Sequence, residues 1–277
     1  MYEHHGKQRD WRIARLGWLI FTALVLTISV LAGQGVSAQS TTSCHGSVAT
    51  IVGTDGPDEL TGTSEPDVVA LLDGADSFDG LAGNDVICGA NGKDLLVGGP
   101  DNDTLDGGRG NDELRGDLRT VGTDAIGAGG EDTIIGGPGD DDRASGDNIS
   151  LGGGASGDGG DDVISEVERV TGDNFALQSA ASGDGGNDDI TGADNAVGDN
   201  NGSPGTGTGG NDTIVATAQP NGVLIGDNSD GGTSGGDDHI FGLGGPDFLD
   251  GGPGTDECNG GPGKDLAANC ERLVAIP

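Results

Sequence analysis

Asp58, Asp67, Asp76, Asp85, Asp94, Asp103 and Asp112 recur every nine residues, and each is followed two positions later by an apolar residue: Leu60, Val69, Phe78, Ile87, Leu96, Leu105 and Leu114. Glycine keeps the same frame, at its first position in Gly53, Gly62, Gly80, Gly89, Gly98 and Gly107 and at its fourth in Gly56, Gly74, Gly83, Gly92 and Gly110. The unit reads G-G-x-G-x-D-x-U-x, with U apolar. Its chemistry is that of oxygen ligands: aspartate carboxylates together with backbone carbonyls, of which those of Gly53, Gly56, Gly74, Gly83, Gly92 and Gly110 are the candidates. No imidazole or thiolate joins them, so the set selects a hard ion, and six or more flexible oxygens favour Ca²⁺ over Mg²⁺.

These groups need a scaffold that repeats as they do. Glycines allow six residues to make a tight turn with positive φ, and x-U-x is long enough for a short strand with one inward side chain. Turn, strand, turn, strand makes a flattened coil of about 18 residues, and coils stacked roughly 4.8 Å apart pair strand on strand. The expected fold is all-β, a parallel β-roll with a thin apolar core and two columns of aspartates, one along each edge. Neighbouring carboxylates in a column repel by about 0.9 kcal/mol even in bulk water, so cations belong between them.

The frame loosens and then returns. Single loops recur at Asp132, Asp162, Asp188 and Asp212, each on a Gly-Gly-x-Asp stem; Asp141 adds a further ligand candidate. Between them runs a second signature, Gly-Asp-Asn, at residues 146–148, 172–174, 198–200 and 226–228, so the central repeat is about 26 residues. One edge is expected to be remodelled into longer loops, each coil keeping a calcium loop on its long side and turning at Gly-Asp-Asn on its short side. Asp147, Asp173, Asp199 and Asp227 offer oxygens there, although Asp and Asn also favour turns for local reasons. From Thr233 the nine-residue frame resumes with Asp238, Asp247, Asp256 and Asp265.

The segments Gly89-Ala90-Asn91-Gly92-Lys93-Asp94-Leu95-Leu96-Val97 and Gly107-Gly108-Arg109-Gly110-Asn111-Asp112-Glu113-Leu114-Arg115 resemble the RTX, or haemolysin-type calcium-binding repeat, family. The resemblance implies a parallel β-roll with Ca²⁺ between loops on the same edge, pairing Asp58 with Asp76 and Asp67 with Asp85. Members of that family often carry a protease, lipase or toxin domain and a C-terminal secretion signal. This chain is expected to depart on both counts, having repeats nearly throughout and an N-terminal signal, so haemolysis and type I export are not carried over.

The chain organises into residues 1–38, a secretory signal peptide; 39–52, an N-terminal cap; 53–115, the regular roll; 116–232, the irregular coils; 233–268, regular repeats again; and 269–277, a C-terminal cap. The signal peptide reading rests on Lys7, Arg9, Arg12 and Arg15 before an apolar run from Leu16 to Ala32, then the small residues Val36-Ser37-Ala38. The alternative is an uncleaved anchor. Net charge is −35; removing residues 1–38 takes four of the 12 basic residues and two of the 47 acidic ones, leaving −37. Such a surface repels nucleic acid and anionic lipid, so neither is an expected partner. It also keeps the chain from collapsing until cations arrive.

Four cysteines, an even number, suit an oxidising compartment and allow three pairings. Their positions favour Cys44 with Cys88 and Cys258 with Cys270, stapling the two ends of the solenoid. The glycine-rich matches to nucleophile and dinucleotide motifs, at residues 232–236 and 205–210, lack the strand-turn-helix context those motifs need. The expected function is that of a secreted calcium-binding repeat protein that folds on Ca²⁺, with a structural, cell-surface or adhesive role, and not an enzyme. Two alternatives from other classes stand beside it: an extracellular polymer-acting enzyme using the carboxylate-lined edge, or a partner-recognition module, for a protein or polysaccharide, using loops around Ser179–Ala181 and Asn200–Pro204.

Overall fold

The computed structural model describes residues 42–276 apart from 118, 122–124, 127, 140, 152–153, 177–180, 200–204, 207, 220 and 228–233. The signal peptide segment, most of the two candidate partner loops and part of the 232–236 motif lie outside the described residues. The described residues contain no helix. They form a parallel solenoid of strands that are mostly two or three residues long, as x-U-x between glycine turns dictates.

Two long sheets run its length. An eleven-stranded sheet takes every second strand of the regular repeats, beginning Ile51–Val52, Val68–Ala70, Val86–Cys88 and Thr104–Asp106; a ten-stranded sheet takes the others, beginning Glu59–Thr61, Ser77–Asp79, Leu95–Val97 and Glu113–Arg115. Pairing is parallel with the apolar residues in register: Ile87 beside Leu105, then Ile134, Ile164, Ile190, Ile214 and Ile240. These side chains are fully buried and face the second column, Phe78, Leu96, Leu114, Ala144, Val170, Ala196 and Leu224. The core is one file of side chains from each sheet, so each has a neighbour from the coil before and the coil after. Ile190→Ala therefore leaves a gap that small neighbours do not close. It lowers stability by roughly 2–5 kcal/mol, measurable by urea denaturation at saturating calcium.

The turn explains the doubled glycine. At the second position of the frame the backbone is left-handed from residue 72 to residue 108, with φ of 109° at Gly99 and 88° at Gly108. Leu72, Leu81 and Ala90 adopt it too, at 79°, 78° and 78°; the Leu72 and Ala90 carbonyls accept the Asn91 and Arg109 N–H of the next coil, and the Leu81 N–H donates to Asp79 Oδ1.

The central coils add two faces. A three-stranded sheet (Arg119–Val121, Ile149–Leu151, Phe175–Ala176) and a four-stranded sheet (Ala125–Ile126, Ala155–Ser156, Ala181–Ser182, Gly205–Thr206) are inserted after the ten-stranded sheet and before the eleven-stranded one. This corrects one expectation: Gly-Asp-Asn does not turn a short side but opens the long one, directly after Arg143–Ser145, Arg169–Thr171 and Asn195–Val197. The short side is elsewhere, between Val163–Ser165 and Arg169–Thr171 and between Asp189–Ala193 and Asn195–Val197. There the calcium loop is gone. Glu166 turns with φ 56°, and Val167 enters the core fully buried.

Both ends are stapled as their positions suggested: Cys44 is bonded to Cys88 and Cys258 to Cys270. Cys44 belongs to a small antiparallel pair, Ser43–Cys44 with Ser47–Val48, laid against the first coils.

Candidate metal centre

Each aspartate of the frame sits immediately before its strand, at the corner where the turn ends. From there one carboxylate oxygen reaches the preceding coil. Asp85 Oδ1 accepts the Asp67 N–H at 2.8 Å, Asp103 Oδ1 that of Asp85 at 2.7 Å, and the file continues through Asp132, Asp162, Asp188, Asp212, Asp238 and Asp256. On the other edge Asp58, Asp76, Asp94, Asp112 and Asp142 are linked likewise, and Asp247 and Asp265 resume after the short sides. The ladder thus spends Oδ1 on the backbone and leaves Oδ2.

Oδ2 is the functional atom. In Asp76, Asp85, Asp94, Asp103, Asp112, Asp132, Asp142, Asp162, Asp188, Asp212, Asp238, Asp247, Asp256 and Asp265 it is buried without a hydrogen-bond partner. A buried carboxylate oxygen left so is costly unless a cation or proton meets it. Beside it lie two things a cation uses: a bare glycine Cα and a carbonyl from the next coil. A Cβ on Gly89 would lie 2.5 Å from Asp94 Oδ2 and 2.7 Å from Gly107 O; on Gly107 it would lie 2.7 Å from Asp112 Oδ2 and 2.9 Å from Gly136 O. Gly80, Gly98, Gly116, Gly146, Gly172, Gly198 and Gly226 have the same surroundings, in which a Cβ would overlap or crowd the oxygens. Each cradle is a carboxylate and a carbonyl beside a glycine without a side chain, a donor set that fits a hard cation of calcium's class.

The candidates from the sequence divide. Asp58 and Asp67 belong to the ladders, but their Oδ2 atoms already accept donors: Thr54 N–H at 2.6 Å and hydroxyl at 3.1 Å for Asp58, Thr63 N–H at 2.8 Å and hydroxyl at 3.0 Å for Asp67. Asp141 is a correction. It is part-exposed and pairs with Arg169 at 2.8 Å, whereas Asp142 is fully buried and accepts the Asp112 N–H at 2.6 Å. The turn before Arg143–Ser145 holds one extra residue, so Asp142 stands two before the inward Ala144. Asp142→Asn raises the calcium concentration at half-saturation several-fold, because affinity follows ligand charge. Asp141→Asn changes it little, an exposed pair being worth about 0–1 kcal/mol; calorimetric titration of both variants checks this.

The glycine carbonyls divide as well. Those of Gly56, Gly74, Gly92 and Gly110 stack along one edge, each facing the glycine of the next coil: Gly74 over Gly56, Gly92 over Gly74, Gly110 over Gly92 and Gly139 over Gly110. Gly53 supplies room, lying beside Leu71 O and Asp58 Oδ2, and Gly83 packs on the Glu65 backbone. The carbonyls that face Oδ2 are chiefly those of the first-position glycine one coil on, Gly80, Gly98, Gly107, Gly116 and their successors, which the linear repeat does not single out.

Two glutamates join the files: Glu168, whose i, i+2 spacing from Glu166 reads in the sequence as a solvated strand face, and Glu271, which no repeat marks. Glu168 Oε2 accepts the Asp142 N–H at 2.7 Å, and Glu271 Oε2 accepts that of Asp256 at 2.9 Å. Each continues a file where the spacing fails, the longer side chain spanning a shorter loop. Cys44, His45 and Cys88 also converge, but the two sulfurs are bonded to each other, and His45 pairs with Asp106 at 3.1 Å.

Burial raises these carboxyls. Desolvation is the largest cause throughout, neighbouring carboxylates add to it, and the ladder N–H opposes it. Asp85, Asp94, Asp112 and Asp142 are pushed up to about 6, Asp132 and Asp238 to about 8, and Asp103 to about 9. Asp162, Asp188 and Asp212, deeper in the central coils, stand well above the ordinary range. The ladders are acceptor arrays in need of positive charge.

Fold and site together define a class: a parallel β-roll whose stacked turns form carboxylate and carbonyl cradles for hard cations. The family model of the RTX calcium-binding nonapeptide repeat matches residues 52–87, 89–118, 125–142, 206–221 and 232–267. The chain belongs to this calcium-binding repeat family. No curated protein and no solved structure gives a significant match. Residues 143–205 fall outside the family match, yet they hold Asp162 and Asp188 in the same ladder.

Proposed function

We propose that the chain is a secreted protein that folds on binding Ca²⁺ and serves outside the cell as a structural or adhesive element of a surface, without a catalytic role. The observation that carries this reading is the row of buried Oδ2 atoms, each beside a carbonyl and a glycine. Charge supports it: at −35, with a core one side chain deep in each sheet, the metal-free chain has little to set against its own repulsion. The disulfides and the apolar segment after Lys7, Arg9, Arg12 and Arg15 support export. Intracellular calcium is too scarce to fold such a chain, and extracellular modules of this kind bind in roughly the 10⁻⁴ to 10⁻³ M range.

Circular dichroism during titration with CaCl₂, with MgCl₂ as control, tests the folding step. The expected result is a coil spectrum converting to β with calcium alone. A chain already folded in EDTA at neutral pH, or equally responsive to magnesium, overturns it.

A further inference from the structure

The central coils bring a third file of carboxylates inside the solenoid. Asp117, Asp147, Asp173, Asp199 and Asp227 follow the glycine that opens each long side, and all are 0–1% exposed. Their backbones stack coil on coil: the Asp117 N–H donates to Gly146 O, that of Asp147 to Gly172 O, of Asp173 to Gly198 O and of Asp199 to Gly226 O, at 3.1–3.3 Å. The file is therefore continuous, one carboxylate per coil.

A purely local turn role would leave these side chains folded onto their own backbone. Instead each crosses to the far end of the long side. Gly130 donates its N–H to Asp117 Oδ2 at 2.9 Å, Gly160 to Asp147 at 3.3 Å, Gly186 to Asp173 at 3.2 Å, Gly210 to Asp199 at 3.1 Å and Gly236 to Asp227 at 3.1 Å. One weak donor per carboxylate leaves oxygens over: Asp117 Oδ1, Asp147 Oδ1, Asp199 Oδ2 and Asp227 Oδ2 are buried without a partner.

These oxygens converge between coils. A Cβ on Gly159 would overlap Asp173 Oδ1 and lie 2.8 Å from Asp147 Oδ2. One on Gly185 would overlap Asp199 Oδ1 and lie 2.6 Å from Asp173 Oδ2, and one on Gly209 would meet Asp227 and Asp199 in the same way. Each of these three intervals thus presents two carboxylates from successive coils to one glycine-lined spot, where the edge cradles present one carboxylate and a carbonyl.

We propose that Asp117, Asp147, Asp173, Asp199 and Asp227 form a second, interior row of calcium sites, one in each interval between successive central coils, in addition to the edge sites of the nonapeptide loops. This rests on the calcium-binding reading of the chain. The same coils lose the opposite-edge loop at their short sides, so the interior row replaces the cation sites that edge gives up. The alternative occupant of an interval is a proton shared by two carboxyls, and the test separates the two.

Crystals grown with Tb³⁺ in place of Ca²⁺ locate the ions by anomalous scattering. The expected map has peaks between Asp147 and Asp173 and between Asp173 and Asp199, besides those at the edge aspartates. Peaks at the edges alone overturn the interior row and leave the calcium reading standing; no peaks at either place overturn both. Native mass spectrometry of the calcium-loaded protein gives a second measure. Asp147→Asn with Asp199→Asn, which touches every interval and preserves the acceptor for each glycine N–H, loses roughly one ion per interval while the edge sites fill. An unchanged ion count in that variant overturns the proposal, and should it fail to fold, the crystals of the unaltered protein decide.

Discussion

In EDTA the chain is unfolded at about pH 9 and regains β structure as the pH is lowered to about 4, without any metal. The sign follows from the ladders. In the unfolded chain the aspartates titrate near their ordinary value of about 3.9. In the metal-free fold, burial pushes Asp85, Asp94, Asp112 and Asp142 to about 6, Asp132 and Asp238 to about 8, and Asp103 to about 9. Between the two values the folded chain holds more protons than the unfolded one, so folding takes up protons and acid favours it. That contribution is complete below about pH 4 and is lost as the pH rises through 6 and then through 8 to 9. Calcium does the same at neutral pH by replacing protons with charge, so acid must weaken calcium binding as it strengthens the metal-free fold. Circular dichroism against pH, with and without calcium, checks both slopes. A metal-free chain that unfolds on acidification would show that the ladders do not govern stability.

Gly172→Ala abolishes folding at calcium concentrations that saturate the unaltered protein. A methyl there would overlap Asp188 Oδ2 and Gly198 O, filling the cradle with carbon. Asp188 is 2% exposed, and its Oδ1 is held by the Asp162 N–H at 2.9 Å, so the carboxylate has nowhere to retreat. An ionised, buried carboxylate deprived of its counter-charge costs about 3–5 kcal/mol, a large part of what a small domain possesses. Gly56→Ala is the control, since a Cβ there meets nothing within 4 Å. Its carbonyl is kept and its unfolded chain is less free, so the change is neutral or stabilising by about 0.4–1 kcal/mol. Thermal melts of both variants in calcium read the difference. Equal melting temperatures would mean that the glycine at the head of the loop is there for the turn and not for an ion.

Nearly all of the repeating design was legible without coordinates. One loop and one strand are set by contiguous residues, and a backbone turn that needs glycine at fixed places announces itself in spacing. Hence the inward column from Val69 to Ile240, the aspartate at each corner, and both disulfides agree with the sequence. What the tertiary structure decided lies between coils, where partners are 18 residues apart in the regular roll and 24 to 30 in the centre. Spacing cannot assign those contacts, because an inserted residue shifts the chain yet the ladder keeps its register. For that reason Asp142 and not Asp141 stands in the file, and Glu168 and Glu271 extend it with a longer side chain. The Arg115-Gly116-Asp117 stretch, which joins the first long coil to the roll, is buried, with Asp117 heading the interior file. The central coils show the division most plainly. Gly-Asp-Asn recurs visibly in the chain, but only stacking shows that its aspartate turns inward and faces its counterpart in the next coil.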